Sequence, residues 1–222
     1  RAFLLARLCM EQLAATIQHL AIMAVPFLVG ITSHEVAHGW VSYALGDPTP
    51  KLAGRLTANP LRHLDPVGTL ALVLTQTIGW AKPIPVDPRY YAAPRRDMVL
   101  VALAGPAANL VVAVVFALFF RGLERLPVDW STPQAAFWGR PLAGIAIAGV
   151  SINVALAVFN LLPIPPLDGS KVVAWLLPPH LASQYLRWER FGFIAIIVLA
   201  MTGVLSLIIR PALRLAQALV LA

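Results

Sequence analysis

The five residues His34-Glu35-Val36-Ala37-His38 carry the side chains of this sequence that are best suited to metal chemistry. Two histidines four positions apart lie on one face of an α-helix, with about 5–6 Å between their Cβ atoms, so both imidazoles can reach one ion. Glu35 projects beside them and is placed to take a proton from a water that the metal activates. The H-E-x-x-H pattern therefore predicts one zinc site per chain, with Glu35 as the candidate general base.

The position of this pattern along the chain favours the metal hypothesis. From Gln12 to Ser33 the only ionisable side chain is His19, so the pattern ends a long apolar run. A charged residue at the centre of a membrane costs about 2.5–3.5 kcal/mol on insertion scales. Three ionisable groups at the end of such a run favour a metal site over incidental polar residues at a membrane edge.

A third ligand is needed, because catalytic zinc usually has three protein ligands and an open position for water. Asp168 is the leading candidate, since it ends an otherwise uncharged segment and follows prolines that could aim its carboxylate inward. It could equally cap the turn that starts at Gly169, and the residues alone leave both interpretations open. His63 and Asp65, in a proline-rich segment, are alternative ligands.

Two asparagines, Asn109 and Asn160, lie at membrane depth. One interpretation is a hydrogen bond between helices, worth about 0.6–2 kcal/mol. The other is donation to a substrate carbonyl or to its developing oxyanion. Neither interpretation is excluded by the residues themselves.

The composition predicts an integral membrane protein. Of the 222 residues 59% are hydrophobic and 12% are charged, whereas a soluble domain typically carries about 25% charged residues. The net charge of +7 is spread through the loops and no nucleic-acid motif is visible, so we expect a lipid bilayer and not nucleic acid as the partner. The lone Cys9 excludes a disulfide within the chain.

The hydropathy pattern predicts an all-α polytopic membrane protein, with residues 1–222 forming a single membrane-embedded domain. We expect four transmembrane helices, at residues 12–45, 98–120, 141–167 and 191–209. Between the first two, the proline-rich segment 46–97 is predicted to form a small module. In it, Val67 to Ile78 is expected to be a re-entrant or interfacial piece, because it is too short and too polar to span. Ala81 to Val86 is expected to be an edge strand, because alternating prolines forbid both a helix and a central strand.

The distribution of basic residues predicts the orientation. Residues 46–97 contain seven Lys/Arg and residues 121–140 contain three. The positive-inside rule therefore places the module, and with it the metal site, on the cytoplasmic side of the cell membrane. The first residue is Arg1, so a further upstream helix is also possible.

Three motifs together resemble the site-2 protease family of intramembrane zinc metalloproteases. They are His34-Glu35-x-x-His38 in one predicted span, Gly105-Pro106-x-x-Asn109 in another, and Asn160-x-x-Pro163-x-Pro165-x-Leu167-Asp168-Gly169 in a third. The stretch from Gly54 to Thr69 resembles the compact bacterial and archaeal members, without the PDZ or CBS domains of larger relatives.

The resemblance implies Zn²⁺ on His34, His38 and Asp168, with Glu35 as general base and Asn160 as a substrate-aligning or oxyanion group. It also implies hydrolysis of peptide bonds in or near transmembrane segments of membrane proteins, as in regulated intramembrane proteolysis. Candidate substrate-binding residues are Asn109 and, by strand addition, Lys82, Ile84 and Val86. An inactive metal-binding scaffold and a zinc transporter are the alternative functions, and the oligomeric state is not predicted.

Overall fold

The computed structural model describes residues 2–75 and 79–221, and long α-helices dominate it. Three of them, α1 (Ala2–Ala44), α4 (Pro94–Glu124) and α5 (Pro133–Asn160), pack against one another. Each contains a stretch that is long and apolar enough to cross a membrane. The predicted all-α polytopic membrane fold is confirmed. The remaining helices are shorter: α2 (Thr49–Leu52), α3 (Pro66–Thr75), α6 (Gly169–Leu176), α7 (Pro179–Leu186), α8 (Glu189–Met201) and α9 (Val204–Leu221).

The apolar core lies where α4, α5 and α9 meet. Its buried residues are Ala113, Phe120, Ala146, Val150, Val154 and Val220. Gly149 of α5 faces the ring of Phe116 so closely that an added Cβ would collide with it. Small residues thus bring α4 and α5 together, as they do in other membrane helix pairs.

The first two predicted spans are confirmed. The spanning part of α1 is Ala15–Ala44, and α4 extends a few residues beyond both ends of the predicted 98–120. The predicted end of the first helix at Gly46 is also observed. Gly46 has φ +103°, a left-handed conformation that glycine adopts without strain and that terminates helices.

The boundaries of the third predicted span, 141–167, are wrong. Helix α5 begins at Pro133, where the Thr132 side chain accepts a hydrogen bond from the Ala135 N–H, and it ends at Asn160. The cap and the proline at the first helical position start the helix early, so Pro141 lies inside it. The residues after Asn160 are irregular and lead to Asp168.

The fourth predicted span, 191–209, is not one helix. Helices α8 and α9 are bent by 71° relative to each other. The break falls at Gly203, which has φ +77°, a conformation that no helix interior contains. The described residues therefore contain three clear spans, or four if the bent pair crosses the membrane as a unit.

The predicted strand at Ala81 to Val86 is not confirmed. Residues 79–87, which the structure describes, contain an isolated antiparallel bridge between Leu64 and Ala81 but no strand. Prolines 83 and 85 lack the N–H groups that a ladder needs, which explains why pairing stops there. The predicted apolar run 67–78 is mostly helix α3, and its last three residues lie outside the described part of the chain.

Candidate metal centre

The predicted ligands come together from two regions that are distant in the sequence. His34 and His38 lie on α1 and are each 7% exposed. Asp168 directly precedes α6 and is carried there by the irregular segment that follows α5. One ligand atom from each residue lies within 4.8 Å of the other two. The chain fold therefore brings the leading candidate for the third ligand to the histidine pair.

The distances within this trio are short. His34 Nε2 lies 2.9 Å from His38 Nε2. Asp168 Oδ2 lies 3.1 Å from His34 Nε2 and 3.3 Å from His38 Nε2. Since zinc binds nitrogen and oxygen at about 2.0–2.1 Å, two ligand atoms of a tetrahedral zinc are about 3.3 Å apart. The spacing is thus close to that of a zinc-ligand set.

The outer nitrogen of each imidazole donates a hydrogen bond, which decides its tautomer. His38 Nδ1 lies 2.7 Å from the Val101 carbonyl oxygen, which can only accept. His34 Nδ1 lies 2.7 Å from Asn109 Oδ1. Both protons are therefore on Nδ1, and both Nε2 lone pairs point toward the centre. This is the arrangement that a histidine adopts when it binds a metal through Nε2.

The donor atoms of the trio favour a bound cation. Asp168 Oδ2 is buried and receives no hydrogen bond. A carboxylate oxygen and two nitrogen lone pairs facing one another repel unless positive charge lies between them. The donor set therefore fits Zn²⁺, with a position left for water.

Helix α4 packs closely against the histidine pair at Gly105. A Cβ added to Gly105 would collide with His38 Nε2 and would lie 2.6 Å from His34 Nε2. Only glycine allows α4 to approach the imidazoles this closely. The Gly105 of the predicted motif is thus explained by packing against the two candidate ligands His34 and His38.

Glu35 lies next to the trio along α1 and is half-buried. Its Oε2 accepts a hydrogen bond of 2.9 Å from the Ile84 N–H. The carboxylate is not among the three clustered ligand atoms. A carboxylate that is beside the metal centre but outside the ligand set is suited to proton transfer.

Asn160 and Asn109 occupy different environments. Asn160, at the end of α5, is half-buried and donates to the Leu156 carbonyl one turn earlier. In the described chain it has no hydrogen bond to the ligand trio. Asn109 is completely buried, and besides accepting from His34 it donates to Gly30 O and to Asn153 Oδ1, both at 3.0 Å. Its polar atoms are thus used by the protein, which favours a role in orienting His34 over substrate binding.

The alternative third ligands lie elsewhere. His63 is completely buried, and its Nε2 lies 2.8 Å from the Thr57 carbonyl oxygen, to which it donates. Asp65 Oδ1 accepts from the Gly68 N–H at the start of α3. Neither belongs to the clustered ligand atoms of the described residues. A local hydrogen bond holds each of the two side chains, while His63 Nδ1 is buried without a hydrogen-bond partner in the described residues.

The other three candidate substrate-binding residues, Lys82, Ile84 and Val86, lie in one segment without regular secondary structure, residues 82–86. The Lys82 N–H donates to the His63 carbonyl at 2.8 Å. The Ile84 side chain is 8% exposed and the Ile84 N–H is bound to Glu35. Val86 is half-buried. The segment therefore lies against the α1 face that carries Glu35, although it is not a regular strand.

Two residues that contribute to the site, Asn153 and Arg55, were not predicted from the sequence. Asn153 is completely buried on α5, accepts from Asn109, and donates to Gly149 O at 2.9 Å. An asparagine within an apolar span was the available signal. Arg55 is 5% exposed and binds the backbone of the 82–86 segment. Arg55 lies in the stretch Gly54 to Thr69 that resembles the family, but the sequence gave no indication of which groups its side chain binds.

Comparison with known proteins identifies the family. Residues 125–202, which include Asp168, match the model described as "Peptidase family M50". Over 192 residues, 86% of this chain and 85% of the relative, the chain is 40% identical to "Putative zinc metalloprotease YwhC" of Bacillus subtilis. The chain belongs to peptidase family M50, the site-2 protease family. It is therefore a multi-pass membrane protein of a metallopeptidase family.

Two further relatives match at lower identity or over a shorter overlap. The chain is 34% identical over 185 residues to "Putative zinc metalloprotease Rip2" of Mycolicibacterium smegmatis, covering 81% of this chain and 66% of that relative. It is 40% identical over 75 residues to "Putative zinc metalloprotease MJ0611" of Methanocaldococcus jannaschii, which is 34% of this chain. No solved structure gives a significant match.

Proposed function

We propose that this M50 chain is a zinc endopeptidase that hydrolyses peptide bonds in or near the transmembrane segments of other membrane proteins. The observation that carries the proposal is the convergence of His34, His38 and Asp168 within a bundle of membrane-spanning helices, with Glu35 beside them. A soluble peptidase would not need to enclose its metal ligands in apolar helices. This location supports the proposed substrate class.

The three ligands would hold the ion through His34 Nε2, His38 Nε2 and Asp168 Oδ2. When bound, zinc supplies a Lewis acid that polarises the peptide carbonyl and makes water acidic near neutral pH. The two neutral imidazoles and one carboxylate leave a net charge of +1, which is less costly in an apolar bundle than the +2 of a site without Asp168.

Glu35 would act as the general base and then as the general acid. One carboxylate oxygen takes the proton of the attacking water, and the same group delivers a proton to the amide nitrogen that leaves. The Ile84 N–H donates to Oε2, and in the described residues Oε1 has no hydrogen bond and could take part. Asn160 would contribute by aligning the substrate or by donating to the developing oxyanion.

A transmembrane substrate must be unwound locally, because helical hydrogen bonds hide its peptide bonds. Residues 82–86 would hold the unwound chain in an extended conformation by backbone pairing. This assignment is supported by the hydrogen bond between Ile84 and Glu35, which brings the segment to the residue that transfers the proton.

The proposed orientation places the metal centre toward the cytoplasm, at the cell membrane. The support is the excess of Lys/Arg in residues 46–97, a segment that contacts the Glu35 face of α1. Regulated proteolysis of a membrane-tethered protein is the biological setting that we propose.

The test combines metal analysis with cleavage assays on a panel of single-span membrane proteins. Glu35→Gln should retain one zinc per chain, because the ligands are untouched, and should lose cleavage by several orders of magnitude. Glu124→Gln is a matched control, since Glu124 lies at the far end of α4 in an exposed ion pair with Arg121. Cleavage by Glu35→Gln near the wild-type rate would exclude the general-base role.

A zinc transporter and an inactive scaffold predict different results. A transporter would move zinc into proteoliposomes, and a scaffold would bind zinc without cleaving any substrate in the panel. Zinc-dependent cleavage that Glu35→Gln abolishes would contradict both.

A further inference from the structure

The backbone of residues 82–84 follows the face of α1 that carries the proposed base. The Ile84 N–H donates to Glu35 Oε2 at 2.9 Å. The Ile84 side chain packs against Gly39, where an added Cβ would collide with Ile84 Cδ1. Glu35 and Gly39 are four positions apart and therefore share one helix face. Ile84 thus fixes one oxygen of Glu35 through its backbone and docks on α1 through its side chain.

Arg55 holds this backbone in place from the other side. Its Nη1 donates to the Pro83 carbonyl at 3.1 Å, and its Nη2 donates to the Lys82 carbonyl at 2.6 Å. These are the two peptide groups that precede Ile84. Hydrogen bonds from a charged donor are about twice as strong as neutral ones, and a planar guanidinium can reach two carbonyls in a fixed geometry.

The environment of Arg55 argues against a purely incidental contact. The residue is only 5% exposed, and its Nε–H is buried without a hydrogen-bond partner. A buried cation with an unsatisfied donor costs free energy, so a neutral residue would serve general packing better. The two directed bonds to residues 82 and 83 are what this side chain supplies.

We propose that Arg55 is a positioning residue for the general base, acting through the backbone of Lys82 and Pro83 on the Ile84 N–H that orients Glu35. The proposal rests on the proposed function of Glu35. Among the described residues Arg55 has no hydrogen bond to the candidate ligands or to Glu35, although its charge lies close enough to interact with that of Glu35. Its loss should therefore slow catalysis without removing zinc.

The first test measures kinetics and metal content of Arg55→Met and Arg55→Lys. Both should retain one zinc per chain, and Arg55→Met should lower kcat by about 10–100-fold, as loss of an outer-shell partner typically does. KM should change by less than about 3-fold. The kcat of Arg55→Lys should lie between those of wild type and Arg55→Met, because an ammonium keeps the positive charge but lacks the planar pair of donors that binds two carbonyls. Arg89→Ala is the control, since Arg89 is a neighbouring arginine in an exposed ion pair with Asp87.

The second test needs neither zinc nor activity. Because Pro83 and Pro85 have no amide hydrogen, hydrogen exchange of a peptide spanning 82–86 reports only Lys82, Ile84 and Val86. Arg55→Met should speed exchange at Ile84 by at least about 10-fold, and Arg89→Ala should leave it unchanged. Unchanged exchange in Arg55→Met would overturn the proposal.

The third test asks whether Arg55 acts through the Ile84 N–H. Ile84→Pro removes this donor, and Ile84→Ala retains it while removing the side-chain contact. The effects of Arg55→Met and of Ile84→Pro on kcat should be non-additive, whereas those of Arg55→Met and Ile84→Ala should add. Additive effects of Arg55→Met and Ile84→Pro on kcat, or a rise in KM at unchanged kcat, would overturn the proposal.

A wild-type chain that binds zinc but cleaves nothing would instead refute the proposed function, and the exchange test would still decide the role of Arg55.

Discussion

His34 Nδ1 donates a hydrogen bond of 2.7 Å to Asn109 Oδ1, which joins α1 to α4 behind the metal centre. Asn109 cannot turn its oxygen away, because its Nδ2 donates to Gly30 O and to Asn153 Oδ1. This bond aims the lone pair of His34 Nε2 at the other two ligands. The orientation of one ligand therefore depends on three helices, α1, α4 and α5.

Asn109→Leu should weaken zinc binding by about 10–100-fold, because His34 loses the acceptor that fixes its tautomer and ring orientation. Competition with a chelator of known affinity measures the change. Asn160→Leu is the comparison, since Asn160 bonds within its own helix, and its zinc affinity should stay within about 2-fold of wild type. Equal zinc affinities for wild type and Asn109→Leu would contradict the orienting role.

Asp168→Ala should lose most of its zinc and all proteolysis while the helices remain inserted, because only two neutral donors would be left. Asp168→Asn should behave similarly, since a neutral amide is a poor zinc ligand. Elemental analysis measures the bound zinc, and far-UV circular dichroism measures whether the helices are retained. Should His63→Ala or Asp65→Ala lose zinc while Asp168→Ala keeps it, the third ligand has been assigned wrongly.

Gly105→Ala should disrupt the centre, because its Cβ would collide with the imidazoles of both histidines. We expect zinc affinity to fall by at least about 10-fold, or the thermal midpoint to drop by several degrees as α4 moves away. Gly122→Ala, on the same helix, is the control, because a Cβ there meets no atom within 4 Å. Similar behaviour of the two variants would mean that the close approach of α4 is unimportant.

Asp47 should make the stability of the fold depend on pH. Burial raises the pKa of its carboxyl, but hydrogen bonds from Thr49, from the Asp87 N–H and from Ser42 lower it by more, so the folded pKa lies below the usual value. A lowered folded pKa stabilises the fold above the unfolded pKa of about 3.9. This contribution is lost as the pH falls through the folded pKa.

Asp47→Asn should therefore reduce the free energy of unfolding by about 1–3 kcal/mol at pH 7, because three donors lose a charged acceptor. Thermal unfolding in detergent between about pH 3 and pH 7 measures the effect. The difference between wild type and variant should shrink as the pH approaches 3. A difference that is constant with pH would show that the charge of Asp47 is not what stabilises the fold.

The proposed topology can be tested with a single cysteine. Leu52, at 82% exposure within the 46–97 segment, is a suitable site after Cys9→Ser. Leu52→Cys should react with a membrane-impermeant maleimide only after the cells are permeabilised, because the segment is expected to be cytoplasmic. Val128→Cys, between α4 and α5, should react from outside intact cells. The reverse pattern would invert the orientation.

Several features of this protein are determined by the sequence itself, because they depend on local chemistry. The apolar composition establishes a membrane protein, and the i, i+4 spacing of His34 and His38 places both imidazoles on one helix face whatever surrounds them. The end of α1 at Gly46 is likewise local, since it follows from a left-handed glycine. The ends of the third and fourth predicted spans were missed because a threonine cap and a single glycine outweighed hydropathy.

Other features are decided only by the tertiary structure, because they join residues far apart in the chain. The contact of Asp168 with the two histidines depends on how α1, α4 and α5 pack. From the sequence, the prolines before Asp168 only made it a candidate ligand. The support of His34 by Asn109 and Asn153 uses three helices. The hydrogen bonds from Arg55 to the carbonyls of residues 82 and 83 join two loops, and loops have no hydrophobic periodicity from which such a contact could be predicted. A hydrogen bond between distant segments has no local signature, so it becomes visible only when both partners are in place.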